Sequence, residues 1–136
     1  MKSIRFIAAA LVLGFACQAN AGVVVVSSSS KAAPMNADAV KRAFLGREAS
    51  IGGAPTVVIY QKGGPTRAAF DKGVLGKAGA ELTTYWSRLI FTGKAKAPAE
   101  VDGDAAVKAR LAASPGAIGY ISDGAVDGSV KVLFKF

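Results

Sequence analysis

Between residues 61 and 70 the chain reads QKGGPTRAAF, and no other stretch carries as much potential chemistry. Two glycines, a proline, a threonine and an arginine run into a helix-like apolar segment. At the start of a helix, unpaired backbone N–H groups and the positive end of the dipole point outward and can cradle an anion. Thr66 adds a hydroxyl. Arg67 adds a charged fork able to grip an oxyanion at two points. The same residues also make an ordinary turn, with Gly63 and Gly64 reversing the chain and Arg67 covering the helix surface. Arg67 discriminates the two readings: a solvated arginine tolerates lysine, and a two-point grip does not. The hydroxyls of Ser27 and Ser28, after the first β-rich run, are further candidates to meet the same ligand.

Elsewhere the residues exclude more than they offer. The chain has no histidine and one cysteine, Cys17. Residues 1–21 read as a secretory signal peptide: Lys2 and Arg5 precede the apolar core FIAAALVLGFA, and Ala19-Asn20-Ala21 has the small-x-small form of a cleavage site. That core is too short to span a bilayer, and no later segment is apolar enough. Gly14-Phe15-Ala16 before Cys17 matches a lipoprotein box poorly. Cleavage after Ala21 gives a periplasmic or secreted chain, 22–136, with no disulfide, thiolate or imidazole. The commonest catalytic bases, nucleophiles and zinc ligands are then gone, so neither an enzyme nor a metal or cofactor site is expected. Asp102-Gly103-Asp104 lacks the other regularly spaced oxygen ligands of a calcium loop and reads as a turn plus a helix cap. Ser30-Lys31 is no catalytic pair, because neighbours on a strand point to opposite sides. Gly52-Gly53 lacks the remaining glycines of a dinucleotide fingerprint and reads as a turn. Trp86, on an apolar helix face, reads as core.

The whole chain carries 17 basic and 9 acidic residues; without Lys2 and Arg5 the balance is 15 against 9, a net of +6. The basic residues are scattered. Such a charge steers small anions mildly. It is weak evidence for nucleic acid, a partner that an exported protein seldom meets.

The elements that must position these residues alternate. Gly22–Val26 is a β-branched run suited to a buried strand. ADAVKRAFLG places Ala39, Val40, Ala43 and Phe44 at helical spacing, with Asn36 or Asp38 to cap it and Gly46 to end it. REASIGGAP is a polar turn, and Thr56–Tyr60 is a second strand. Pro65 suits the first turn of a second helix, which Gly76 stops. In KAGAELTTYWSRLIFTG, Leu82, Tyr85, Trp86, Leu89 and Ile90 share one helical face. KAKAPAEVDGD is a loop. DAAVKARLAASPG is a fourth helix with Asp104 as N-cap, AIGYI a strand, and VKVLFKF a closing strand whose Lys131 and Lys135 mark one wet face. The expectation is a single α/β domain over 22–136, built on a small, mostly parallel sheet flanked by helices.

Five segments in this order, AVKRAFLGR, TVVIYQ, GGPTRAAFDKGVLG, YWSRLIFTG and SPGAIGYI, resemble the second lobe of the phosphate-binding protein of bacterial ABC transporters. The likeness is closer still to short, single-lobe exported proteins of that type, and it covers nearly all of 22–136. It implies one lobe of a type II periplasmic-binding-protein-like fold, without catalysis. In the two-lobed family a Ser-Gly-Thr turn at a helix start donates hydroxyl and N–H groups to phosphate, and that turn falls on Gly64-Pro65-Thr66. Gly64 lacks the serine hydroxyl and Pro65 lacks an N–H, while Thr66 keeps its hydroxyl. The arginine that often precedes the turn is replaced around Gln61-Lys62.

The resemblance thus implies an exported, phosphate ABC transporter substrate-binding-protein-like domain that binds phosphate or another small oxyanion weakly through Gly63, Gly64, Thr66 and Arg67, with Ser27 and Ser28. The alternative is an accessory or interaction module of the periplasm that keeps the lobe fold without the ligand. A helix terminus gives about 0.3–1 kcal/mol and a charge-assisted hydrogen bond about 1.5–3 kcal/mol. Together they support millimolar binding, against about 8 kcal/mol for micromolar capture. Tight binding therefore needs a second lobe, from a homodimer or another periplasmic protein. An ABC transporter is a further implied partner.

Overall fold

The computed structural model describes residues 22–136; the signal-peptide reading of 1–21, with Cys17, lies outside the described residues. In chain order the elements are β1 (Val23–Ser27), α1 (Ala37–Phe44), the short strands β2 (Ser50–Ile51) and β3 (Ala54–Pro55), β4 (Val57–Gln61), α2 (Pro65–Phe70), a π-helical turn (Asp71–Leu75), α3 (Gly79–Phe91), β5 (Ala99–Val101), α4 (Gly103–Ala113), β6 (Ala117–Ile121), a 3-10 turn (Asp123–Ala125) and β7 (Val130–Lys135). Five strands form the central sheet in the order β5-β4-β6-β1-β7. β4 runs parallel to β5 and β6, while β1 is antiparallel to both β6 and β7. Four strands thus share one direction and β1 opposes them.

Helices cover both faces, which is why the strands read as continuous apolar runs. The side-chain period of two splits β1 between the layers. Val24 and Val26 pack with Tyr60, Tyr120, Phe44, Phe70 and Leu82 under α1, α2 and α3. Val23 and Val25 pack with Ile59, Ile121, Val107 and Leu111 under α4. Each fully buried Phe or Leu side chain contributes about 1.5–3 kcal/mol. Phe70 stacks on Tyr120 with ring centroids 4.1 Å apart, and Phe44 meets Phe70 edge-on at 4.6 Å.

Asn36 caps α1, its Oδ1 accepting the Ala39 N–H at 2.8 Å, and Gly46 leaves the helix with φ +74°. Several details depart from expectation. The polar turn before β4 holds a hairpin: Ser50 pairs with Pro55 and Ile51 with Ala54 across Gly52-Gly53, whose φ values of 58° and 82° are those of a type I′ turn. The loop before α4 contains β5, which pairs with β4. α4 opens at Gly103, and Asp104 does not cap it. β7 carries a bulge: Val25 pairs with Val132 and Val24 with Phe134, leaving Leu133 as the extra residue. The bulge inverts the alternation, so Lys131 and Lys135 do not share a wet face. Lys131 Nζ instead donates to the carbonyls of Ser30 and Ala32.

Because β1 opposes its neighbours, Gly22 and Phe136 lie side by side. Gly22 N–H donates to Phe136 O at 3.2 Å, and Phe136 N–H to Gly22 O at 2.9 Å.

Candidate functional site

In open α/β sheets the ligand-binding crevice lies beyond the carboxyl ends of the parallel strands. Here that edge carries Gln61 at the end of β4 with Lys62 after it, Asp102 after β5 and Ser122 after β6, with the first turns of α2 and α4 above it. Gly64 opens α2 with φ +93° and ψ 174°, a backbone that favours glycine. Its carbonyl accepts the Ala68 N–H at 3.1 Å, and Pro65 fills the first helical position. The N–H groups of Thr66 and Arg67 have no acceptor within the helix. No heavy atom lies within 4 Å of a Cβ built at Gly63 or Gly64, so the turn faces open space.

The guanidinium of Arg67 is already engaged. Its Nε donates to Asp71 Oδ2 at 2.8 Å, one turn along the helix, and one terminal nitrogen donates to Gln61 O at 2.6 Å. It lies 5.0 Å over the Tyr60 ring and 3.8 Å from Glu100. The side chains of Arg67 and Asp71 are only 19% and 7% exposed. Burial is the largest single influence and disfavours the Arg67 charge, but the bond to Asp71 and the nearby Tyr120, Asp71 and Glu100 together outweigh it. Burial pushes the Asp71 carboxyl up, and Arg67 brings it only part of the way back. The second carboxylate oxygen, Oδ1, is buried without a partner among the described residues.

A fixed polar lattice underlies the turn. Gln61 N–H donates to the Tyr120 hydroxyl at 3.1 Å. Gln61 Nε2 donates to Tyr120 O at 2.9 Å and to Asp104 Oδ1 at 2.8 Å. Asp104 also accepts from the Ser122 N–H at 3.2 Å and from the Ser122 hydroxyl. Burial raises the Asp104 carboxyl, but these bonds outweigh it and hold the group below its ordinary 3.8. Tyr60 and Tyr120 are pushed well above the usual phenol range, burial being the largest cause. Asp104 thus ties the ends of β4 and β6 to α4, a role that the cap reading of DGD missed.

The candidate residues divide between two edges. Gly63, Gly64, Thr66 and Arg67 lie together at the carboxyl edge. Ser27 and Ser28 lie at the opposite one, because the antiparallel register sets Val26 beside Ile118 and Val23 beside Ile121. A five-residue strand, roughly 17 Å, separates the groups. Expecting both to meet one small ion is therefore corrected: the reversed direction of β1, invisible in composition, carries the serines away. Ser27 is instead buried, its hydroxyl 2.9 Å from that of Ser29, and Ser28 is exposed with its N–H on Ser129 O. Trp86 is core as read, donating from Nε1 to the Tyr60 hydroxyl at 3.3 Å.

No protein-family model and no curated protein matches the chain. Solved structures do. One, from Clostridium perfringens, is described as a phosphate ABC transporter substrate-binding protein with bound phosphate. It is 23% identical with a TM-score of 0.63, over 83% of this chain and 44% of that one. An ABC-type phosphate transport receptor from Vibrio cholerae gives 18% identity and a TM-score of 0.65, over 83% and 45%. PstS from Borrelia burgdorferi gives 14% and 0.62, over 83% and 46%. The chain shares the fold of these phosphate-binding proteins. It spans less than half their length, as a single lobe does, and at these identities the likeness is one of fold. Among the described residues, no helix is long and apolar enough to cross a membrane.

Proposed function

We propose that this chain is an exported, non-catalytic module of the solute-binding-protein type whose Gly63–Arg67 turn takes phosphate or another small oxyanion weakly. The observation that carries the reading is the turn itself: a left-handed Gly64 opens α2 at the carboxyl edge of the sheet, with open space before it and first-turn N–H groups that have no acceptor within the helix. The ligand meets backbone N–H groups and the Thr66 hydroxyl, while Arg67 stays on Asp71. The fold, shared with a structure that holds phosphate, supports the same assignment. The binding contributes about 2–4 kcal/mol, so it is millimolar or weaker.

Titrating isotope-labelled protein with phosphate tests this. The amide signals of Gly63, Gly64, Thr66 and Arg67 are expected to move together, saturating in the millimolar range or above. Chloride at equal ionic strength separates the site from general screening. Unmoved amides at tens of millimolar phosphate would sink the reading. In that case the second reading stands, an interaction module that kept the lobe fold. One observation favours it: Lys62 and Arg67 are outnumbered around the turn by Asp71, Glu100, Asp102 and Asp104.

A further inference from the structure

We propose that α3 is the contact face of a two-fold dimer of this chain, with the two α3 helices antiparallel and Phe91 of each copy seated in a cleft of the other. The proposal does not rest on anion binding. Phe91 is 94% exposed, and its neighbour Ile90 is 43% exposed. Beside them lies a cleft of about 250 Å³ between α3 and the β4–β5 edge. Leu82, Trp86, Ile90 and Pro98 wall it, and Arg67 and Glu100 supply its polar groups. An aromatic ring fits this mixture, apolar on most sides with a guanidinium to lie against its face.

The spacing along α3 supplies the symmetry. Thr83, Ser87 and Phe91 recur at i, i+4 and i+8 and are all exposed. Thr83 and Ser87 also line the cleft. With a two-fold axis at Ser87, four residues lie on each side, so Phe91 of one copy falls on Thr83 of the second, at the cleft mouth. An isologous interface requires knob and hole to share one patch, and here they do. The small side chain at the axis lets the helices approach closely.

The helix dipoles agree with this register, since antiparallel packing sets the two in opposition.

Sedimentation across micromolar to millimolar concentrations of the 22–136 protein tests this. A monomer–dimer equilibrium is expected. Phe91→Ser should raise its dissociation constant about a hundredfold, because each dimer loses two seated rings. Ser87→Arg, which sets two like charges at the axis, should weaken it as well. Both positions are exposed, and circular dichroism checks that each variant folds. A monomer throughout overturns the proposal. So does a dimer indifferent to both Phe91→Ser and Ser87→Arg, which places the contact elsewhere.

Discussion

Arg67 and Asp71 show how one neighbour can change what a residue does. The sequence presents Arg67 as a free fork beside a glycine turn; the fold spends two of its nitrogens on Asp71 and a carbonyl. Asp71 four residues on is an ordinary helical pair in sequence. That both are buried was not legible, because burial depends on β5 and α3 packing nearby. Replacing Asp71 by Asn weakens the grip on the guanidinium without emptying the space. Phosphate affinity at the turn is then expected to rise about five- to tenfold, read from the same amide titration. Arg67→Ala does the reverse to the fold, leaving a buried carboxylate unpaired, at a cost of roughly 3 kcal/mol in urea unfolding. Asp104 gives a pH signature. Its folded value lies below its ordinary 3.8, so its contribution is present above that pH and is lost as pH falls through the folded value. Asp104→Asn should therefore lower stability by about 1–2 kcal/mol at neutral pH and flatten the loss of stability below pH 4.

Among the elements, those with a strong period were legible in the sequence. α1, β4, α2, α3 and β6 lie where apolar spacing put them, within a few residues. The pieces that were missed have two or three residues, and their existence depends on a partner. β5 is a strand because β4 offers an open edge, and nothing in Ala99-Glu100-Val101 announces that. The β2–β3 hairpin is held from outside: a Cβ at Gly52 would lie 2.8 Å from Ala32 N, and one at Gly116 would lie 1.9 Å from Pro55 O. Gly116 is thus a contact point between backbones as well as a helix stop. Gly116→Ala should push the hairpin off the start of β6 and cost about 1–3 kcal/mol in chemical denaturation. Loss of amide protection over residues 50–56 beyond the global change would locate the damage.

At the scale of the molecule, the fold class and the single-lobe extent were legible, because both follow from alternating elements and from a resemblance spread along the chain. The direction of β1 was not, and it separates the two groups of candidate ligands. One lobe with an open turn also limits what a ligand can do for stability. At a phosphate concentration equal to its dissociation constant the gain is only about 0.4 kcal/mol, so thermal scans in millimolar phosphate should shift by a few degrees at most. The reversed strand has another consequence. With Gly22 and Phe136 bonded to each other across one sheet edge, a short bridge can join them and the chain can be opened elsewhere, for instance in the exposed turn at Gly128. Such a rewired ring should refold with the same core. The unit is in effect a cassette, able to be spliced into a loop of a larger protein without disturbing either host or guest.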